Sequence, residues 1–265
     1  MIMKSSNIET TKLNSKILNK EMGVNIFLPS TYSENGESLP VLYFLHGRSG
    51  NENIMFDLQL NVKANDMFLN KLQPMIIVCP RIENSRGINS ALNSGTIESP
   101  NNSGITINVG RYEDYFVEEI IPYIDEHYNT IKSNYGRYIG GISGGGYAAL
   151  HIAFRHQNLF CKVGGHMPAI ELNLEEDDIP FFNDISVWEK YNPISIAKNF
   201  NISKELKVYL DAGNQDEGHF YEGCKILQNV LERKGVSSQF HLFAGHHNLA
   251  YILSNIEKYL EFYAT

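Results

Sequence analysis

A glycine-rich stretch in the middle of the chain is the feature that most constrains the fold. Residues 138–150 read Tyr-Ile-Gly-Gly-Ile-Ser-Gly-Gly-Gly-Tyr-Ala-Ala-Leu, which places Ser143 between Gly141 and Gly145. A short strand-like run precedes the serine, and small and apolar residues suited to a helix follow it. Where a strand turns sharply into a helix, Cβ atoms two residues to either side of the serine would collide. The stretch therefore predicts a strand–turn–helix unit that exposes the Ser143 hydroxyl above a sheet.

The Gly-x-Ser-x-Gly pattern carries little weight alone, because glycine-rich turns with a serine are common. Its context is more informative, since the serine would stand at the positive end of the helix that follows. This arrangement is that of a nucleophile elbow. It makes Ser143 a candidate nucleophile, provided that the rest of the chain supplies a base and an acid.

The length and charge of the chain limit the classes of function. The 265 residues are enough for one large α/β domain, and no composition break or long linker divides residues 1–265. The net charge of −8, from 30 acidic and 22 basic residues, opposes binding to nucleic acid or to an anionic membrane. We expect a partner that is a small molecule.

The cysteines and the N-terminus indicate the compartment. Cys79, Cys161 and Cys224 lie far apart, without the paired spacing of a zinc site or a disulfide framework. The first residues lack the apolar run of a secretory signal, and no segment is long and apolar enough to span a bilayer. We expect a cytoplasmic protein with reduced thiols and chemistry that needs no metal ion or cofactor.

Strand-like and helix-like patterns alternate along the chain. Residues 8–28 alternate polar and apolar side chains around Gly23, which predicts a two-stranded antiparallel start. Apolar runs at 41–45 and 75–79 are typical of strands covered on both faces, with the first expected at the centre of the sheet. Further strands are predicted at 161–165, 206–210 and 238–243, and helices at 54–72, 114–128, 218–234 and through Leu249 to Leu260. Pro122 could kink or delay its helix. The alternation predicts an α/β fold with a mostly parallel sheet and helices on both faces.

Two segments lack a clear period. Residues 81–110 are polar and predict a long loop at the same edge of the sheet as Ser143. Residues 166–200 predict an irregular insertion, with an acidic run at 175–178 beside Phe181, Phe182 and Trp188. We interpret the acidic run as a solvated face. The aromatic residues make 166–200 a candidate cap or lid, because it lies between the candidate nucleophile and acid.

A serine nucleophile needs a histidine to accept its proton and a carboxylate to hold that histidine in the correct tautomer. Asp216 follows the strand at 206–210 in a loop that can bend toward a histidine, whereas Asp211 at the strand terminus could cap a turn. His246 leaves the strand at 238–243 directly after a glycine, and His247 could begin the closing helix. We prefer Asp216 and His246, with His247 as the alternative. The chain order Ser, Asp, His is that of α/β-hydrolases.

The tetrahedral intermediate also needs two hydrogen-bond donors for its oxyanion. The backbone N–H of Gly144 comes directly after the nucleophile and is the expected first donor. The backbone N–H of Arg48, in the loop after the strand at 41–45, is the expected second. The Arg48 side chain could contact an anionic substrate or remain solvated, and His46 and His166 at strand ends could line the pocket.

Together these residues resemble the putative-esterase group of α/β-hydrolases, which includes esterase D (S-formylglutathione hydrolase), feruloyl esterases and tributyrin esterases. The likeness runs from about Val24 to the C-terminus. It rests on Leu-Pro-Val-Leu-Tyr-Phe-Leu-His-Gly at 39–47, Tyr-Glu-Asp-Tyr at 112–115, Gly-Ile-Ser-Gly-Gly-Gly-Tyr at 141–147, Gly-Asn-Gln-Asp at 213–216 and Gly-His at 245–246. The resemblance implies Ser143 as nucleophile, Asp216 as acid, His246 as base, and the amides of Arg48 and Gly144 as oxyanion donors.

Many members of that group follow the histidine with Asp-Trp, whereas this chain has His247-Asn248, which keeps His247 open as the base. The expected function is a serine carboxylesterase acting on short-chain or aromatic acyl esters through an acyl-enzyme. A carbohydrate ester (feruloyl or acetyl) or a glutathione thioester is an alternative substrate. A non-catalytic binding module is disfavoured, because no member of the triad is missing.

Overall fold

An eight-stranded, mostly parallel sheet organises the protein. The computed structural model describes residues 6–70, 72–90, 94–101 and 103–265. The strands are β1 (Asn7–Ser15), β2 (Lys20–Leu28), β3 (Val41–Leu45), β4 (Ile76–Pro80), β5 (Gly95–Glu98), β6 (Thr106–Val109), β7 (Arg137–Ile142), β8 (Lys162–His166), β9 (Lys207–Gly213) and β10 (Ser238–Phe243). The main sheet has the order β1-β2-β4-β3-β7-β8-β9-β10, and β5 and β6 form a separate hairpin. All neighbours from β4 to β10 in that order are parallel, which confirms the α/β fold predicted from the sequence.

Helices cover both faces of the sheet. The α-helices are α1 (Ile54–Asp57), α2 (Leu60–Asn70), α3 (Tyr112–Asp114), α4 (Ile121–His127), α5 (Gly144–Arg155), α6 (Ile179–Phe182), α7 (Ile185–Tyr191), α8 (Pro193–Asn199), α9 (Phe220–Arg233) and α10 (Leu249–Ala264). Strand β3 is wholly buried, and its side chains alternate between two apolar clusters, as the period of a strand requires. Helices α5, α8 and α9 contribute to one cluster, while α1, α2 and α10 contribute to the other. The central position predicted for β3 is confirmed.

The antiparallel start is also confirmed. Strands β1 and β2 pair from Asn7 with Leu28 to Ser15 with Lys20, so the turn occupies residues 16–19. Gly23 lies inside β2, where the absence of a side chain leaves room for the Glu52 carboxylate.

Two further predictions need correction. Residues 81–110 contain the β5–β6 hairpin, whose four-residue strands are too short to show a clear period. The helix expected at 114–128 spans α3, a π-helical segment at Tyr115–Ile120, and α4. Pro122 lies in the first turn of α4, where its missing N–H is tolerated because the preceding turn is wider than an α-helical one.

The insertion at 166–200 contains α6, α7 and α8, and its acidic run is only partly solvated. Glu175 and Glu176 are exposed. Asp178 is fully buried, with its Oδ1 2.9 Å from Arg86 Nη2, and Asp177 Oδ1 accepts a hydrogen bond of 2.6 Å from the Ser99 hydroxyl. The interpretation as a solvated face is wrong for these two aspartates, because cationic and polar partners from distant loops meet them.

Phe181, Phe182 and Trp188 are buried together against Tyr147 of α5 and against the β5–β6 hairpin. The three cysteines carry free thiols. Among the described residues, no helix is long and apolar enough to cross a membrane.

Candidate active site

The turn between β7 and α5 has the geometry of a nucleophile elbow. Ser143 has φ 52° and ψ −120°, a strained conformation for a residue with a side chain. A Cβ on Gly141 would lie 2.6 Å from the carbonyl oxygens of Gly145 and Leu45, and one on Gly145 would lie 2.4 Å from that of Leu45. Only glycine fits at either position, so the sequence pattern and the strained turn have one steric cause.

A histidine and an aspartate extend from Ser143 in a continuous hydrogen-bonded chain. His247 Nε2 lies 2.9 Å from Ser143 Oγ, and His247 Nδ1 lies 3.0 Å from Asp216 Oδ2. An ionised carboxylate can only accept, so Nδ1 carries the proton and Nε2 is free to accept the serine proton. Phe220 packs edge-on against the His247 ring at 5.2 Å between centroids. The imidazole is thus held on two sides.

The preferred histidine of the sequence prediction, His246, does not reach Ser143. Its Nδ1 lies 2.7 Å from Glu217 Oε1, and its side chain is 53% exposed. The chain turns at Gly245, where φ is +145° and a Cβ would meet the Tyr251 ring at 2.8 Å. After that turn the His246 side chain points to solvent and the His247 side chain points inward. His247, the alternative of the sequence prediction, is therefore the histidine that is hydrogen-bonded to Ser143.

The choice of Asp216 over Asp211 agrees with the contacts. Asp216 is buried, and its Oδ1 accepts a hydrogen bond of 2.9 Å from the backbone N–H of Gly218, which fixes the carboxylate toward His247. Asp211 lies deeper, where its carboxylate accepts hydrogen bonds from the hydroxyls of Tyr251 and Tyr259 at 2.6 and 2.9 Å. Asp211 therefore serves the core and does not cap a turn.

The two residues expected to supply the oxyanion donors, Arg48 and Gly144, are neighbours in the structure. A Cβ placed on Gly144 would be 3.8 Å from the backbone nitrogen of Arg48, which places the two residues side by side. Gly144 begins α5, where backbone N–H groups have no partner within the helix. Within the described part of the chain, the Arg48 N–H donates to no protein acceptor. The Arg48 side chain is directed to Asp177 of the insertion, with Nη1 3.4 Å from Oδ2.

A cleft of about 510 Å³ opens over Ser143 and His247. Its apolar wall comes mainly from α1, the β7 end and α10, through Ile54, Leu58, Ile142, Leu249 and Ile252. Its polar wall comes from the loop after β4, the turn after β5 and the insertion, through Glu83, Asn84, Arg86, Ser99 and Glu171. His46 lines the cleft as expected, whereas His166 lies in the core against Asp211.

Sequence reasoning missed the polar wall. Arg86 is 9% exposed and makes a two-pronged ion pair with Glu171, with distances of 2.9 and 2.6 Å. Burial raises the pKa of nearby Asp178 to about 6, although Arg86 opposes that shift. The only signal in the sequence was the expected position of residues 81–110 at the edge of the sheet that carries Ser143.

Comparison with known proteins agrees with this architecture. The sequence model of the family described as "Putative esterase" matches residues 15–259. An esterase of Mycobacterium tuberculosis is 28% identical over 145 residues, which are 54% of this chain, and the matched region spans only 28% of that protein.

Two solved structures share the fold over nearly the whole chain. A ferulic acid esterase superposes with a TM-score of 0.81 at 23% identity, over 98% of each chain. An S-formylglutathione hydrolase from Agrobacterium tumefaciens superposes with a TM-score of 0.78 at 16% identity, over 98% of this chain and 95% of the other. The chain belongs to the Putative esterase family and has the α/β-hydrolase fold.

Proposed function

We propose that the protein is a serine carboxylesterase that hydrolyses short-chain or aromatic acyl esters, with Ser143, His247 and Asp216 as its catalytic residues. The observation that carries the proposal is the hydrogen-bonded chain from Ser143 Oγ through His247 to Asp216. Because the Asp216 carboxylate fixes the tautomer of His247, Nε2 presents a lone pair to the serine hydroxyl.

The reaction has two halves. Ser143 Oγ attacks the ester carbonyl carbon while His247 Nε2 takes its proton, and the N–H groups of Gly144 and Arg48 stabilise the oxyanion. When the carbonyl re-forms, the bond to the leaving oxygen breaks, and His247 returns the proton to the departing alcohol. Water then attacks the acyl-enzyme by the same route and releases the acid and Ser143.

The cleft supports a substrate of modest size. A volume of about 510 Å³ falls in the ordinary range for small-molecule sites. The apolar wall formed by α1 and α10 suits an acyl chain or an aromatic ring, because burial of apolar surface supplies most of the binding free energy there. We assign the acyl group to this wall and the alcohol to the polar wall.

The charges of the cleft lining favour a carbohydrate ester as a second candidate, over a glutathione thioester. Asp57, Glu83 and Glu171 line the cleft beside Arg48 and Arg86, and Glu83 is also paired with Lys20. Both arginines are already paired with carboxylates, so they offer little to the net negative charge of glutathione, whereas the hydroxyls of a sugar can bond to carboxylates.

We further propose that residues 1–265 act as one α/β-hydrolase domain, with 166–200 as its cap. Phe181 of this segment lines the cleft, and Asp177 is in contact with Arg48 beside the proposed oxyanion site. These two contacts support the assignment of the segment as a cap over the cleft.

Initial rates on p-nitrophenyl acetate, butyrate, octanoate and ferulate test the proposal, with Ser143→Ala beside the wild type. We expect wild-type turnover and a rate for Ser143→Ala lower by roughly 10⁶-fold. A fluorophosphonate probe should label the wild type and leave Ser143→Ala unlabelled. Equal turnover by both proteins would refute the assignment of Ser143.

A further inference from the structure

The orientation of one peptide unit decides whether Arg48 can serve the oxyanion. The carbonyl of Gly47 and the N–H of Arg48 belong to the same rigid plane, so a group that holds one also aims the other. Arg48 and Ser49 are exposed, and Ser49 has φ 60°, in the left-handed region that is costly for a residue with a side chain. The Gly50 N–H closes this turn with a hydrogen bond of 3.1 Å to the Gly47 carbonyl, and side chains from outside the turn add to that contact.

The buried side chain of His46 holds the Gly47–Arg48 peptide unit at its carbonyl oxygen. Its Nδ1 lies 2.8 Å from the Gly47 carbonyl oxygen, and its Nε2 lies 3.0 Å from the backbone nitrogen of Ile82. Because the Ile82 N–H donates to Nε2, the ring proton is on Nδ1 and donates to Gly47. Burial lowers the pKa of His46 to about 4, which agrees with this neutral tautomer.

Asn84 holds the next peptide unit, the one between Arg48 and Ser49. Its Oδ1 accepts a hydrogen bond of 2.7 Å from the Ser49 N–H. Its Nδ2 donates to the Thr106 carbonyl at 2.7 Å, and its own N–H donates to Asn108 Oδ1 at 3.1 Å. The amide of Asn84 is therefore fixed by strand β6 before it reaches the loop.

We propose that Asn84 is a positioning residue for the oxyanion site. It anchors the Arg48–Ser49 unit to the β5–β6 hairpin while His46 anchors the Gly47–Arg48 unit, and the Arg48 N–H between them is left without a protein acceptor among the described residues. The inference rests on the proposed function, because it assigns Asn84 a task within that site. Asn84 acts through the Arg48 N–H and forms no bond to the reacting atoms.

The contacts of Asn84 require a side chain that can both accept and donate a hydrogen bond, and an amide does so. An asparagine both accepts from Ser49 and donates to Thr106, so its two ends are satisfied at once. Alanine would remove both contacts and free the loop to rotate. A misaligned donor stabilises the transition state less, while substrate in the ground state gains little from it.

Steady-state kinetics of Asn84→Ala on p-nitrophenyl acetate and on ethyl acetate test the proposal. We expect kcat to fall roughly 10- to 100-fold on both esters with KM within about twofold of wild type. Inhibition by phenylboronic acid, which forms a tetrahedral adduct with a serine, should weaken in parallel. Thr96→Ala is the matched control, because Thr96 lies in the same hairpin, where its hydroxyl accepts from Asn108 Nδ2 at 3.4 Å, and it is not one of the groups that hold Asn84. It should keep near-wild-type kcat.

The following results would overturn the proposal. An equal loss in Thr96→Ala would make the effect one of hairpin structure. A rise in KM alone, or a loss confined to one leaving group, would make Asn84 a contact of the substrate alcohol. If Asn84→Ala does not fold, hydrogen exchange in the wild type decides, since the Ser49 amide should exchange more slowly than the Arg48 amide.

These outcomes are separable from failure of the proposed function. If Ser143→Ala retains wild-type ester turnover, the function itself is refuted. If Ser143→Ala is inactive and Asn84→Ala has wild-type kcat, only the role of Asn84 is refuted.

Discussion

Two Asp–His pairs stand near the end of β9, and their geometry is almost the same. In the first, His247 Nδ1 lies 3.0 Å from Asp216, and in the second, His166 Nδ1 lies 3.1 Å from Asp211. Their surroundings differ. The His247 side chain is 21% exposed and faces Ser143, whereas His166 and Asp211 are fully buried and His166 Nε2 faces the Tyr263 hydroxyl at 2.9 Å.

The buried pair shows that an Asp–His contact does not by itself make a catalytic site. The His166 ring stacks on Tyr259 at 3.7 Å and on Phe44 at 5.7 Å between centroids, so no substrate can approach it. The Tyr263 hydroxyl is itself fully buried, so a substrate cannot reach it either. What distinguishes the first pair is a hydroxyl on a strained turn at the floor of an open cleft.

Separate replacement of His247 and His166 by glutamine should give the largest difference in activity between the two pairs. His247→Gln removes the proposed base and should lower kcat/KM for p-nitrophenyl acetate by roughly 10⁶-fold. His166→Gln disturbs only the buried pair, so it should lower the midpoint of thermal unfolding and leave most of the activity of the folded protein. Initial rates and thermal melts on the same preparations compare the two effects.

His246→Gln is the matched control, because it replaces the neighbouring histidine whose ring contacts Glu217. It should retain activity within a few-fold of the wild type. Inactivity of His246→Gln with activity in His247→Gln would reverse the assignment and restore the preference drawn from the sequence.

Replacement of the two aspartates should also affect activity in one pair and stability in the other, with a smaller loss of rate than replacement of His247. Asp216→Asn should lower kcat by roughly 10⁴-fold, because an amide can donate to Nδ1 and stabilise the wrong tautomer of His247. Asp211→Asn puts an NH2 donor in place of one of the two oxygens that accept three buried hydrogen bonds, so it should cost about 2–4 kcal/mol of stability and change kcat far less. Urea unfolding and kcat measured for both variants check this. A larger kcat loss in Asp211→Asn would contradict the division of labour.

The features that could be predicted from the sequence are those that steric rules and burial determine. Gly141 and Gly145 have no room for a Cβ, so the turn at Ser143 follows from local sequence and was predicted correctly. The parallel strands likewise follow from apolar runs that must be covered on both faces.

The histidine was harder, because His246 and His247 differ only in which way the chain turns after β10. That direction depends on the packing of Gly245 against Tyr251, a residue six positions further along that is oriented by Asp211. The polar wall was harder still. Arg86, Glu171 and Asp178 are separated by up to 92 residues, and no periodicity connects them.

The smallest effect that we predict is on the pH dependence of stability, and it comes from the buried pair of His166 and Asp211. Burial lowers the pKa of His166, with Asp211 opposing, and it lowers the pKa values of His46 and His151 to about 4. In the unfolded chain a histidine binds its proton below about pH 6.5, while His46 and His151 stay neutral in the fold down to about pH 4. Their contribution to stability is therefore complete above pH 6.5 and is lost as the pH falls toward 4, and the lowered pKa of His166 acts in the same direction.

Free energies of unfolding by urea, measured from pH 7 to pH 5, test this sign. The wild type should lose stability over that range, and His166→Gln should lose less, because one fewer group takes up a proton on unfolding. Each such proton steepens the dependence by at most about 1.4 kcal/mol per pH unit. An unchanged slope in His166→Gln would mean that His166 is protonated in the folded protein. The buried pair would then be ionic, and its difference from the pair at Ser143 would lie in access to the cleft alone.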